Sequence, residues 1–246
     1  MIHRIESGAP DVPPGSPFGC KILAAANAYG VSEPFAQFWR QDGGAALAAV
    51  DGEGVLLEGA APADWEELRR LLGALGLRRI CCPAEAAERS GLPVSRRGEI
   101  MALQMPPLVP DGVRLVENPG PREIHALLRQ AESSSFPVPE FEPFYLDLSH
   151  RTRHGVALSY GVSAGKILAA CAVCSAVTAE AAVVSAVACA PGFRRRGYGG
   201  ASVAALARRL DGRKIFVFRA EGENQEFYRS LGFRRCGGWA EIAVGT

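Results

Sequence analysis

The apolar positions of this chain come in short blocks divided by turn residues, and the period of the blocks changes along the chain. AALAAVDGEGVLLEG reads as two short strands around an Asp51-Gly52 turn, since two apolar runs joined by Asp-Gly form a hairpin. In ADWEELRRLLGALG, Trp65, Leu68, Leu71 and Leu72 recur at helical spacing. RRICCP then reads as a strand, AEAAERSG as a short helix and GEIMALQM as another strand. MPPLVPDG, residues 105–112, holds three prolines and a glycine. These break any regular element and mark a seam between domains.

After the seam a similar order returns at greater length. VRLVEN is a strand, and PREIHALLRQA is a helix with Pro121 at its first position, where a missing N–H is tolerated. FEPFYLDLSHRTRHG reads as a second helix. Three strands follow, GVALSYGV, KILAACAVCSAV and AAVVSAVACA. Next come RRRGYGGASVAALARRL, a strand KIFVFRA, a helix NQEFYRSLG and a strand WAEIAV. The alternation predicts an α/β (α+β) protein with domains at 1–107 and 108–246. The hairpin–helix–strand order common to both halves fits an internal duplication. The first domain therefore reads either as an independent small α/β unit or as a degenerate copy of the second.

Composition narrows the function classes. The chain has 246 residues, 48% hydrophobic and 22% charged, enough to bury a core and too apolar for disorder. A formal net charge of +1 leaves no broad basic face, so nucleic acid is not an expected partner. No apolar run reaches the roughly 18 residues of a membrane span. The N-terminal MIHRIESGAPDVPPG lacks the apolar core of a signal peptide. Seven cysteines, an odd number without a small-domain framework, fit a reducing cytoplasm. Cys171 and Cys174 form a CxxC in a strand-like run, where positions i and i+3 face opposite sides, so no metal is expected.

The segment Arg194 to Leu210 carries the candidate chemistry. Val203, Leu206, Ala207 and Leu210 give its helix one apolar face to dock on the sheet. The helix start then points out from the strand ends, where free N–H groups and the helix dipole favour an anion. Gly197, Gly199 and Gly200 let a phosphate approach the backbone, and Arg194, Arg195 and Arg196 add positive charge. Two phosphate-loop templates fail. Gly165-Lys166 is followed by Ile167, not Ser or Thr, and Gly197-Tyr198-Gly199 continues as Gly200-Ala201-Ser202 rather than x-x-Gly.

A third template fits. Arg194-x-x-Gly197-x-Gly199 resembles the R/Q-x-x-G-x-G/A motif of the GNAT acyltransferase superfamily. Upstream, AVACAPGFRRRGYGG is similar to the strand, proline and aromatic that lead into that loop. Downstream, ENQEFYRSLGF is similar to the family's second landmark, and the resemblance spans about Val113 to Val244. It implies a GNAT-like mixed central sheet flanked by helices, with acetyl-CoA as co-substrate and no metal. The backbone amides of Arg195, Arg196, Gly197, Tyr198, Gly199 and Gly200 are then expected to hold the pyrophosphate, with Arg194 at the cofactor through its charge. Val187, Ala188 and Cys189 would bond the pantetheine and acyl carbonyl through main-chain groups, and Asn224 would lie near the pantetheine arm. Tyr228 would protonate the departing thiolate. Asn224 and Tyr228, at i and i+4, are expected to share a helix face. One departure stands out: where many relatives carry a glutamate base on the strand before the loop, this chain has Val183, with Glu180 earlier in a turn.

The implied activity is N-acetyl transfer from acetyl-CoA to a primary amine on a small molecule or peptide. A second copy of the chain is the one protein partner considered. The rival is a non-catalytic acyl-CoA sensor or scaffold, which the missing glutamate favours. Glu140 and Glu142 in PVPEFEPF are candidate attractors of a cationic amine, beside the plainer reading of an exposed loop. Gly161-Val162-Ser163-Ala164-Gly165 matches GxSxG, but a strand follows it and all four histidines precede it, so a hairpin turn is expected. His150 and His154 lack the HExxH glutamate and read as polar surface or a substrate contact.

Overall fold

The computed structural model describes residues 1–59, 61–133 and 136–244. The first half runs β1 (Ile2–Arg4), α1 (Pro17–Tyr29), β2 (Ala36–Gln41), β3 (Ala45–Val50), β4 (Glu53–Glu58), α2 (Trp65–Ala74), β5 (Arg79–Pro83), α3 (Ala84–Ser90) and β6 (Val94–Leu103). The second runs β7 (Leu115–Glu117), α4 (Pro121–Arg129), α5 (Phe141–Arg153), β8 (Leu158–Ala164), β9 (Ile167–Val177) and β10 (Ala181–Cys189). It ends with α6 (Tyr198–Arg209), β11 (Lys214–Ala220), α7 (Gln225–Ser230) and β12 (Phe233–Ala243). One order, βαβββαβαβ, thus occurs twice, the second time with one helix more. The chain divides into two compact units: Met1–Met101 with Phe218–Glu223 and Arg235–Thr246, and Ala102–Val217 with Asn224–Arg234.

In the first unit the strands lie in the order β1-β2-β3-β4-β5-β12-β6. β3 is apolar throughout because both faces are covered. Ala45, Leu47 and Ala49 pack with Leu68 and Leu72 of α2, whereas Ala46 and Ala48 pack with Ile22 and Ala25 of α1. The expected β3–β4 hairpin turns through Asp51 at φ 50° and Gly52 at φ 78°, the two left-handed positions such a turn needs. α1 has no counterpart in the sequence-based expectations. Its PFGCKILAAANAY is buried along most of its length, so no amphipathic period marks it. Its local signals are Pro17 at the first position and Ser16, whose Oγ accepts the Gly19 N–H at 2.9 Å.

In the second unit the order is β11-β10-β9-β8-β7, antiparallel except for β10 with β11. α4 and α5 cover one face, where Ile124, Leu127 and Leu148 meet Cys171, Val173 and Ala188. On α6, Ala201 packs with Val162 and Ala170. Val203, Leu206, Ala207 and Leu210 are all buried, as their spacing requires. The GVSAG segment is the β8–β9 hairpin, closed by Ala164 opposite Ile167 with Gly165 at φ 64°, not a strand-to-helix elbow.

Candidate active site

The site begins where two parallel strands part. β10 extends to Cys189, but its pairing with β11 stops at Val184 opposite Val217. Val187, Ala188 and Cys189 keep only their β9 partners, Ala172, Cys171 and Ala170. The far side of this strand end is therefore left without a β11 partner. Val183, the position matched to the family's glutamate, is buried in register between Ala176 and Phe216. Glu180 lies in the preceding turn, its carbonyl accepting the Lys214 N–H at 2.9 Å.

The chain leaves β10 through a 3-10 turn, Pro191–Phe193, and enters α6 by way of Arg195 at φ 62° and Gly197 at φ 79°. Gly197 needs its missing Cβ, because that φ is a left-handed conformation. No side chain caps α6. Among the described residues the amides of Arg195 to Gly200 meet no acceptor. Arg194, Arg195 and Arg196 are exposed and pair with no carboxylate among the described residues. Arg194 Nε donates to the Cys189 carbonyl at 3.3 Å, and the Arg196 guanidinium stands 5.4 Å over the Phe193 ring. Phe193 in turn stacks on Tyr198 at 6.1 Å. The result is a fixed loop of unbonded donors at a helix start, which fits a diphosphate.

The corresponding helix of the first unit is built the opposite way. Asp64 caps α2 and accepts the amides of Glu66 and Glu67, each at 3.1 Å. Glu66 and Glu67 add negative charge in the first turn. The protein's own carboxylate takes the place an anion would need.

α7 meets the start of α6 through residues the sequence reading did not single out. A Cβ on Gly199 would lie 3.7 Å from Phe227 Cζ and 3.8 Å from Val187 Cγ1, and one on Gly200 would lie 3.2 Å from Leu231 Cδ2. The i,i+4 spacing of Phe227 and Leu231 was the available signal. Asn224 is not on the helix. It precedes α7 in a left-handed conformation, φ 52°, with its side chain exposed and capping nothing. The shared face expected for Asn224 and Tyr228 is therefore not formed. Tyr228 N–H donates to the Asn224 carbonyl at 3.1 Å. The Tyr228 ring is buried, edge-on to Phe227 at 5.1 Å and to Phe233 at 5.7 Å.

Burial pushes the Cys189 thiol up, against the pull of Arg194 and Arg196, so it stays protonated near neutrality and acts as a small spacer. Glu140 precedes α5 and Glu142 lies in its first turn; both are exposed, and neither carboxylate has a partner among the described residues. The His150 and His154 rings lie 4.1 Å apart, with His154 Nδ1 2.9 Å from the His150 carbonyl. Among the described residues no three His, Cys, Asp or Glu side chains gather as a metal site. No helix there is long and apolar enough to cross a membrane.

The sequence model of the acetyltransferase (GNAT) family matches residues 122–233. No curated protein matches the chain. Several solved structures share its fold. A tandem GNAT protein from the clavulanic acid biosynthesis pathway is 16% identical, over 97% of this chain and 91% of that one, with a TM-score of 0.60. A GCN5-related N-acetyltransferase from Kribbella flavida is 17% identical over 82% and 86%, TM-score 0.57. An acetyltransferase of the GNAT family from Colwellia psychrerythraea is 14% identical over 99% of both chains, TM-score 0.55. At such identities the likeness speaks for the fold alone, while the family model speaks for the sequence. Residues 122–233, which hold the parted strands, the arginine–glycine loop and α7, are a GNAT acetyltransferase domain.

Proposed function

We propose that the second unit moves an acetyl group from acetyl-CoA to a primary amine. One observation carries this reading: among the described residues the amides of Arg195 to Gly200 meet no acceptor, beside three arginines that meet no carboxylate, near the point where β10 and β11 stop pairing. The amides and Arg195 bind the pyrophosphate. Main-chain groups of Val187 to Cys189 hold the pantetheine and acyl carbonyl in strand-like fashion, and the exposed Asn224 amide borders the same arm. The thioester supplies an activated acyl group. Tyr228 protonates the leaving sulfur, a role suited to a phenol, which is ordinarily protonated at pH 7. Holding both reactants in the opening supplies much of the rate.

Glu140 and Glu142 draw in a cationic amine of a small molecule or peptide. All seven cysteines are free, which supports a cytoplasmic setting. A second copy of the chain is the protein partner to look for. Val183 supports the second reading, an acyl-CoA sensor without transfer, and thiol release that depends on an added amine separates the two.

Titration calorimetry with acetyl-CoA tests the cofactor site. The intact protein is expected to bind at one saturable site, and Gly197→Glu, which adds bulk and negative charge at the loop, to abolish binding. Failure of the intact protein to bind would overturn both readings.

A further inference from the structure

The pairing of β9 with β10 is irregular at one place. Val183 lies opposite Ala176, Val184 opposite Cys174, and Ala186 opposite Val173. Each strand therefore skips one residue: Ser175 on β9 and Ser185 on β10. Both skipped residues are serines, and their hydroxyls hydrogen-bond to one another. A bulge re-aims a side chain out of the regular pleat, and here two of them bring two hydroxyls to one point. That point is one residue past Val184, where β11 leaves β10, and two residues past Val183. Ser185 is exposed, whereas Ala181 to Val184 before it are buried.

The pair is braced from α5. Arg151 Nη1 donates to the Ser175 carbonyl at 3.4 Å, and Arg151 Nε donates to Asp147 Oδ1 at 2.7 Å. Among the described residues neither serine hydroxyl bonds to a carboxylate or an imidazole. The pair thus offers hydrogen-bond acceptors and donors without a base.

We propose that the Ser175–Ser185 pair positions the acceptor. The cationic amine first gives its extra proton to solvent water; Ser185 Oγ then accepts a hydrogen bond from the N–H of the neutral primary amine and turns its lone pair toward the acyl carbon. This rests on the acetyl-transfer reading above. The nitrogen bonds to the acyl carbon as the carbon–sulfur bond breaks, the sulfur leaves with the Tyr228 proton, and the proton shed by nitrogen returns through water to Tyr228. No carboxylate at Val183 is required.

The test uses calorimetry with coenzyme A and with its S-linked N-methylacetamide derivative, whose amide N–H stands in for the amine N–H. The derivative is expected to bind the intact protein about five-fold more tightly than coenzyme A, the order of one net hydrogen bond. Ser185→Ala and Ser175→Ala should lose most of that gain while keeping the coenzyme A affinity and the melting temperature. A gain that persists in Ser185→Ala, or that is absent from the intact protein, overturns the proposal and leaves the cofactor reading standing. If coenzyme A itself does not bind the intact protein, the cofactor reading fails and the proposal with it.

Discussion

Phe227 of α7 closes against Gly199 of α6, with 3.7 Å between the ring's Cζ and the position a Cβ would take on the glycine. The contact joins GYGG and ENQEFYRSLGF, the two stretches that resemble the family, into one locus, with Val187 of β10 as its third wall. A methyl group there makes ordinary contact, and Gly199 is not at a positive φ. Gly199→Ala should therefore fold and melt much like the parent. Gly199→Leu should push α7 away, destabilising the protein by about 1–3 kcal/mol and weakening acetyl-CoA binding. Thermal melts and calorimetry on both variants measure the two effects.

Tyr228→Phe keeps the edge-on packing with Phe227 and Phe233 and removes only the hydroxyl. Its expected effect is a fall in kcat of roughly ten-fold or more, with the acetyl-CoA dissociation constant unchanged. A kcat equal to that of the parent would take Tyr228 out of the chemistry.

Ile242 of β12 is fully buried in the first unit, paired with Ile80 and packed in the core that holds Leu47, Leu68 and Leu72. Ile242→Ala should cost about 2–5 kcal/mol through lost burial and an unfilled cavity. Denaturant unfolding should show the midpoint moving down accordingly. An unchanged midpoint would mean that the C-terminal strand does not stabilise this unit.

Buried thiols, Cys171 and Cys82 foremost, should lower stability at alkaline pH. Burial pushes Cys171 up to about 12; burial, with Cys81 alongside, does the same for Cys82. An unfolded thiol ionises near 8.5. Between those values the folded chain holds protons that the unfolded chain has released. The stabilisation is complete below the unfolded value and is lost as pH rises toward the folded one. The melting temperature should fall steadily above about pH 8.5, and less steeply in Cys171→Ala. Equal slopes in the two proteins would show that Cys171 does not carry the effect.

Much of the candidate site is legible because it is local. The apolar face of α6, the positive φ that Gly197 supplies and the run of arginines all lie in the one continuous stretch Arg194 to Leu210, and each follows from residue type. α1 escapes notice because a helix buried along most of its length shows no period. Asn224 misleads because spacing i,i+4 implies a shared face only inside a helix, and its left-handed backbone places it outside one.

From Ala45 onward, local pattern settles the alternation of strands and helices, the arginine–glycine turn at the start of α6 and the family resemblance, since neighbouring residues suffice to encode them. It does not settle which strands pair or in what register. Those follow from how whole strands compete for partners and bury their faces. Only the fold shows that β12 lies beside β5 and that β10 leaves β11 after Val184. Only the fold shows that Ser175 and Ser185, unremarkable in the sequence, are skipped by their partner strands and meet one residue past the end of the β10–β11 pairing.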